Sequence, residues 1–94
     1  MVLAVPTVQA DDERVRITRW DFAPGAETGH HRHAYPYTVT YLTDAALRIV
    51  DPQGVETLVE MKAGDSYSRP KGIAHNVINA GSAPLAFVEV EIKL

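Results

Sequence analysis

Three histidines, His31, His33 and His75, carry the clearest chemical signal in this chain, each inside a short motif. The first two form a His-x-His pair at the end of Gly25-Ala26-Glu27-Thr28-Gly29-His30-His31-Arg32-His33. The third closes Gly64-Asp65-Ser66-Tyr67-Ser68-Arg69-Pro70-Lys71-Gly72-Ile73-Ala74-His75. Neutral imidazoles are good ligands for Fe, Zn, Ni and Cu, whereas carboxylate and water suit Mn and Mg. The chain has no cysteine, so disulfides, thiolate nucleophiles and thiolate metal sites are excluded, and a metal must be held by nitrogen and oxygen. A solvent-exposed histidine cluster in a loop is the competing reading of a His-x-His pair, and the downstream motif weighs against it.

Positioning these side chains calls for strands. Short β-prone runs alternate with turn signals, which predicts an all-β sandwich or barrel. The runs are 3–8, 14–22, 35–42, 46–50, 55–61, 75–79 and 85–92, separated by segments such as Pro24-Gly25, Ala63-Gly64-Asp65 and Pro70-Lys71-Gly72. Asp51-Pro52-Gln53-Gly54 is the clearest hairpin connection. No stretch has helical spacing and caps. Residues two apart on a strand face the same side, so one continuous strand would place His31, His33, Tyr35, Tyr37, Val39 and Tyr41 together on an inward face. His30 falls on the other parity and is expected to be exposed. In the last run the same rule groups Ala86, Val88, Val90 and Ile92 as the apolar set, leaving Glu89 and Glu91 on a solvated face.

Ninety-four residues make one domain, 1–94, with 1–10 as a leading strand or arm. Its core is thin, and Leu3, Val5 and Val8 could add a strand to a second copy, so a homodimer is expected. With 46% apolar residues, 22% charged residues and a net charge of −3, the chain lacks the basic footprint of a nucleic-acid binder. No run approaches membrane-spanning length. The first residues lack the basic start and apolar stretch of a signal peptide, so the chain reads as cytoplasmic.

The two motifs resemble those of the cupin superfamily of small β-barrels, G-x5-H-x-H-x3,4-E-x6-G and G-x5-P-x-G-x2-H-x3-N. Gly25, His31 and His33 match the first, with Tyr37 in place of its glutamate and Asp44 in place of its last glycine. Gly64, Pro70, Gly72, His75 and Asn79 match the second in full. The resemblance implies a jelly-roll barrel (a double-stranded β-helix) with an internal divalent transition metal, Fe, Zn or Ni, ligated by His31, His33 and His75. Trp20-Asp21-Phe22-Ala23-Pro24-Gly25, Thr28-Gly29-His30-His31-Arg32-His33 and Phe87-Val88-Glu89-Val90-Glu91 are further similar to small cupins of β-alanine degradation.

Replacing the glutamate by Tyr37 removes a negative charge beside the ion and frees a coordination position. That strengthens the pull on anionic or bidentate oxygen ligands. Tyr37 is the candidate catalytic residue, as a phenol hydrogen-bonding a bound ligand; phenolate ligation and plain core packing are its alternatives. Tyr35 and Tyr41 are candidates to line the cavity, Arg69 to hold a substrate carboxylate at the rim, and Glu89 to act as acid or base if its face turns inward. Asn79 reads as a turn or cap residue. These residues suit a metal-dependent enzyme acting on a small substrate, anions included, with an Fe-dependent dioxygenase favoured. A non-catalytic metal- or small-ligand-binding module and a Zn- or Ni-dependent lyase or isomerase are the alternatives.

Overall fold

A computed structural model describes residues 2–94. Nine strands follow one another: β1 (Val5–Asp11), β2 (Val15–Phe22), β3 (His31–Arg32), β4 (Tyr37–Tyr41), β5 (Ala45–Val50), β6 (Glu56–Met61), β7 (Ser66–Arg69), β8 (Ala74–Asn79) and β9 (Leu85–Ile92). They form two antiparallel sheets, β1-β2-β9-β4-β7 and β3-β8-β5-β6, with no helix among the described residues. The all-β jelly-roll expectation holds. Strands far apart in sequence are neighbours within each sheet: β3 pairs with β8, and β4 with both β7 and β9.

The core lies between the sheets, where Phe22, Tyr41 and Leu47 are almost wholly buried. Phe22 packs on Phe87 with ring centroids 5.3 Å apart, and Tyr41 on Phe87 at 5.4 Å. Turn chemistry fixes the connections. Asp51 Oδ1 accepts the backbone N–H groups of Gln53 and Val55, both at 2.9 Å, while Gly54 takes a φ of 86° that other residues resist. Buried Asn79 donates from Nδ2 to the carbonyls of Phe22, Ala23 and Ala83, and its Oδ1 accepts from Gly81 N–H. It therefore ties β8 to the end of β2 and the start of β9, the cap role its position suggested.

Three expectations are corrected. Residues 31–41 are not one strand: β3 belongs to one sheet and β4 to the other, with a bend over 33–36 between them. Pro36 has no N–H to give to a ladder, and the chain changes sheets there. Ser66–Arg69 is a strand that the turn-rich motif concealed. The leading strand runs Val5–Asp11 rather than 3–8 and is bulged between Val8 and Ala10. Met1, the first residue of the expected arm, lies outside the described residues.

Candidate metal centre

His31 and His75 face each other as direct partners of β3 and β8. His33 arrives from the bend, where its backbone N–H donates to Ile73 O at 2.9 Å and its carbonyl accepts Gly72 N–H at 2.8 Å. Gly72 sits at φ 94°, so the Pro-x-Gly turn both reverses the chain toward His75 and pins the backbone of His33. His33 Nε2 lies 3.1 Å from His31 Nε2 and 3.1 Å from His75 Nε2. Two nitrogens each about 2.1 Å from one ion must lie within about 4.2 Å of each other, and this spacing corresponds to about 95° between them. With all three ligand atoms within 4.8 Å of one another, the three imidazoles can hold a single divalent ion.

The groups behind the ligand atoms agree. His31 Nδ1–H donates to the Gly29 carbonyl at 2.9 Å, which leaves a lone pair on Nε2. That carbonyl also accepts from Thr28 Oγ1 at 2.9 Å. Asn76 holds the same loop, accepting Gly29 N–H and donating to Glu27 Oε1, each at 3.0 Å. Burial, and then the neighbouring His31, pull His33 down from 6.5 to about 4, and the same causes pull His75 to about 4. Both imidazoles are thus neutral at ordinary pH, as ligation requires.

The cluster lines a cavity of about 280 Å³ with apolar walls from Val39, Val77 and Phe87. Tyr37, 3% exposed, stacks its ring on His33 with centroids 3.8 Å apart. Burial pushes its phenol up to about 12, so it remains a neutral donor, which counts against the phenolate alternative. Tyr41 also lines the cavity and shares a 3.0 Å hydrogen bond with Tyr67. Tyr35 is not among the lining residues, because the bend turns it away from the parity it would have had on a continuous strand. His30 is exposed, as expected.

The expected solvated face of β9 is the inward one. Glu89 and Glu91 are each only 8% exposed and line the cavity. Leu85 and Phe87 share their parity, and these larger apolar side chains, rather than Ala86 and Val88, mark the core face. Glu91 is paired with Arg16 on β2 through two bonds of 2.7 and 2.8 Å. Among the described residues Glu89 has no such cation. Its Oε2 lies 3.9 Å from His33 Nδ1, on the side of the ring away from the other histidines. Burial, reinforced by the charge of Glu91, pushes its carboxyl up to about 7. A carboxylate absent from the first motif is thus present in the cavity from a different strand.

A profile of the cupin domain matches residues 18–91. The chain is 51% identical to the β-alanine degradation protein BauB of Pseudomonas aeruginosa over 90 residues, covering 96% of this chain and 94% of that protein. The crystal structure of a cupin domain from Bordetella pertussis superposes with a TM-score of 0.93 at 46% identity, covering 99% of this chain and 96% of that one. A protein with a double-stranded β-helix domain from Klebsiella pneumoniae shares the fold, with a TM-score of 0.79 at 24% identity over 97% of this chain and 77% of that one. With its paired sheets, three converging histidines and this similarity across nearly its whole length, the chain belongs to the cupin family.

Proposed function

We propose that this cupin is a metal-dependent enzyme in which His31, His33 and His75 hold one divalent ion and a small substrate enters the open side. The observation that carries this reading is the convergence of three Nε2 atoms on the wall of a cavity, with 3.1 Å between neighbours. Three imidazoles suit Fe(II), Zn(II) or Ni(II), and the coordination positions left free by the missing carboxylate, where a bidentate substrate and dioxygen can bind together, favour Fe(II). When bound there, Fe(II) supplies redox chemistry with dioxygen and a Lewis-acid position for a substrate oxygen, and a dioxygenase is the favoured activity. Tyr37 gives its phenolic proton as a hydrogen bond to the substrate, its ring held by His33. Val39, Val77 and Phe87 keep water from the reacting atoms. The identity to BauB supports a role in β-alanine degradation. The exposed edge strand β1, with Val5 and Val8 more than half exposed, supports a homodimer.

Glu89 favours a second reading. A buried carboxyl poised near neutral pH is suited to moving a proton, as a Zn- or Ni-dependent lyase or isomerase needs. The two readings part on oxygen. Protein loaded anaerobically with Fe(II) is mixed with 1,3-diketones, thiols and short 3-oxo acids while dissolved oxygen is recorded. Uptake matched to product supports the dioxygenase. Product without uptake, retained in the Zn(II) form, supports the lyase or isomerase, and no turnover with stoichiometric metal supports a binding module.

A further inference from the structure

The cavity holds a second cluster besides the histidines and the carboxylates. Sheet register lays out an inward-facing row across four strands: Arg16 opposite Glu91, Glu91 opposite Tyr37, and Tyr37 opposite Arg69. Neighbouring strands lie about 4.8 Å apart, so each member of the row is beside the next. At one end Arg16 is neutralised by Glu91 in a two-bond pair. At the other end Arg69 has no counterpart among the described residues. Its guanidinium lies 4.4 Å over the ring of Tyr67 and donates only to the neighbouring Ser68 carbonyl. Arg32, between His31 and His33 in sequence, enters the same opening from the other sheet, its guanidinium beside Gly72.

Among the described residues neither Arg32 nor Arg69 has a carboxylate within 4.0 Å, whereas Arg16, Arg19 and Arg48 each do. Both unpaired guanidiniums border a mouth of about 630 Å³ that shares Tyr37, Tyr67 and His75 with the inner cavity. The acidic residue at this mouth, Asp51, has Oδ1 committed to the backbone of its own turn. A guanidinium stacked on an aromatic ring keeps its outer N–H fork free for a planar two-oxygen acceptor.

We infer that Arg69, assisted by Arg32, anchors the carboxylate of a short oxo or hydroxy acid whose other oxygen points inward past Tyr37 toward the three histidines. This assignment rests on the metal-site reading for the inner end of the substrate and on the two free arginines for the outer end. The polarity of the site fits it. Glu91 on β9 is already neutralised by Arg16, while the unpaired cationic end lies across Tyr37 on β7, so a carboxylate is drawn to that end and a substrate enters in one orientation.

The test is calorimetric titration of Zn(II)-loaded and metal-free protein with pyruvate, 3-hydroxybutanoate and 4-oxopentanoate, each beside its methyl ester, and with inorganic phosphate. Metal content is measured on every sample. At least one acid is expected to bind tenfold or more tightly than its ester. Arg69→Gln removes that preference without changing ester binding or zinc stoichiometry, and Arg32→Gln reduces it. Equal affinity of acids and esters, an unchanged preference in Arg69→Gln, or phosphate binding as tight as the tightest acid overturns the inference. Stoichiometric zinc with no acid preference sinks the anchor alone. An Arg69-dependent acid preference in protein that takes up no zinc sinks the metal reading alone.

Discussion

Glu89→Gln makes the metal-free protein more stable at pH 8 and leaves it unchanged at pH 4. In the unfolded chain Glu89 ionises near 4.5, but burial and Glu91 raise it to about 7 in the fold. A carboxyl raised on folding contributes its full stability below 4.5 and loses it as pH rises through 7. Above pH 7 the fold carries a buried carboxylate with no cation of its own, since Arg16 is taken by Glu91. The shift corresponds to about 3 kcal/mol at 1.36 kcal/mol per pH unit. The side chain is only 11% exposed, so solvent screens little of this. Glutamine keeps the shape and the acceptor but not the charge. Urea unfolding in EDTA, wild type against variant at pH 4, 6 and 8, reads the effect, and the same comparison in a His33→Gln background removes the contribution of the histidine 3.9 Å from the carboxyl. The variant gains nothing at pH 4, part of the difference at pH 6 and about 3 kcal/mol at pH 8. A difference that does not change with pH, or a loss at pH 8, would refute the account of Glu89 as an uncompensated inward carboxyl.

The remaining expectations concern the same architecture. His33 and His75 are lowered from 6.5 to about 4 on folding, so the stability they contribute is present above pH 6.5 and is lost as pH falls through 4. The metal-free protein should therefore weaken in acid, and His75→Gln should flatten that slope in urea titrations between pH 4 and 7. Asn79→Ala breaks bonds to three carbonyls and one N–H at a residue 2% exposed and is expected to cost about 2–4 kcal/mol of unfolding free energy; a loss below half a kcal/mol would mean those groups find other partners. Tyr37→Phe keeps the stacked ring but loses the donor, so metal content should stay at the wild-type level while turnover falls about tenfold or more. Loss of the metal in that variant would instead make the phenol oxygen a ligand.

The histidines and the fold class were legible because metal-ligand geometry constrains residue type and spacing together. Gly72 and Pro70 belong to that pattern for a visible reason: the turn they form is bonded to the backbone of His33. Strand parity was a poorer guide where the chain changes sheets. His31 and Tyr37 do end on one cavity, but through a bend at Pro36 and two different sheets, not through one strand. The inward carboxylates were concealed because both parities of β9 start apolar, and alternation alone cannot choose between Phe87 and Val88. Side-chain size would have chosen, since Leu85 and Phe87 are the bulkier pair. The pairing of Arg16 with Glu91 lies 75 positions apart in sequence, and only the β2–β9 register brings it into view. The free state of Arg69 has the same origin: it is visible only once every nearby carboxylate has been placed.

The central claim is that His31, His33 and His75 hold one ion, and metal analysis of untagged protein tests it most directly. Wild-type protein supplemented with Fe(II) or Zn(II) and desalted should retain about one metal per chain, and His33→Ala, which removes the nitrogen common to both 3.1 Å spacings, should retain almost none while remaining folded. Equal metal content in wild type and His33→Ala would contradict the account.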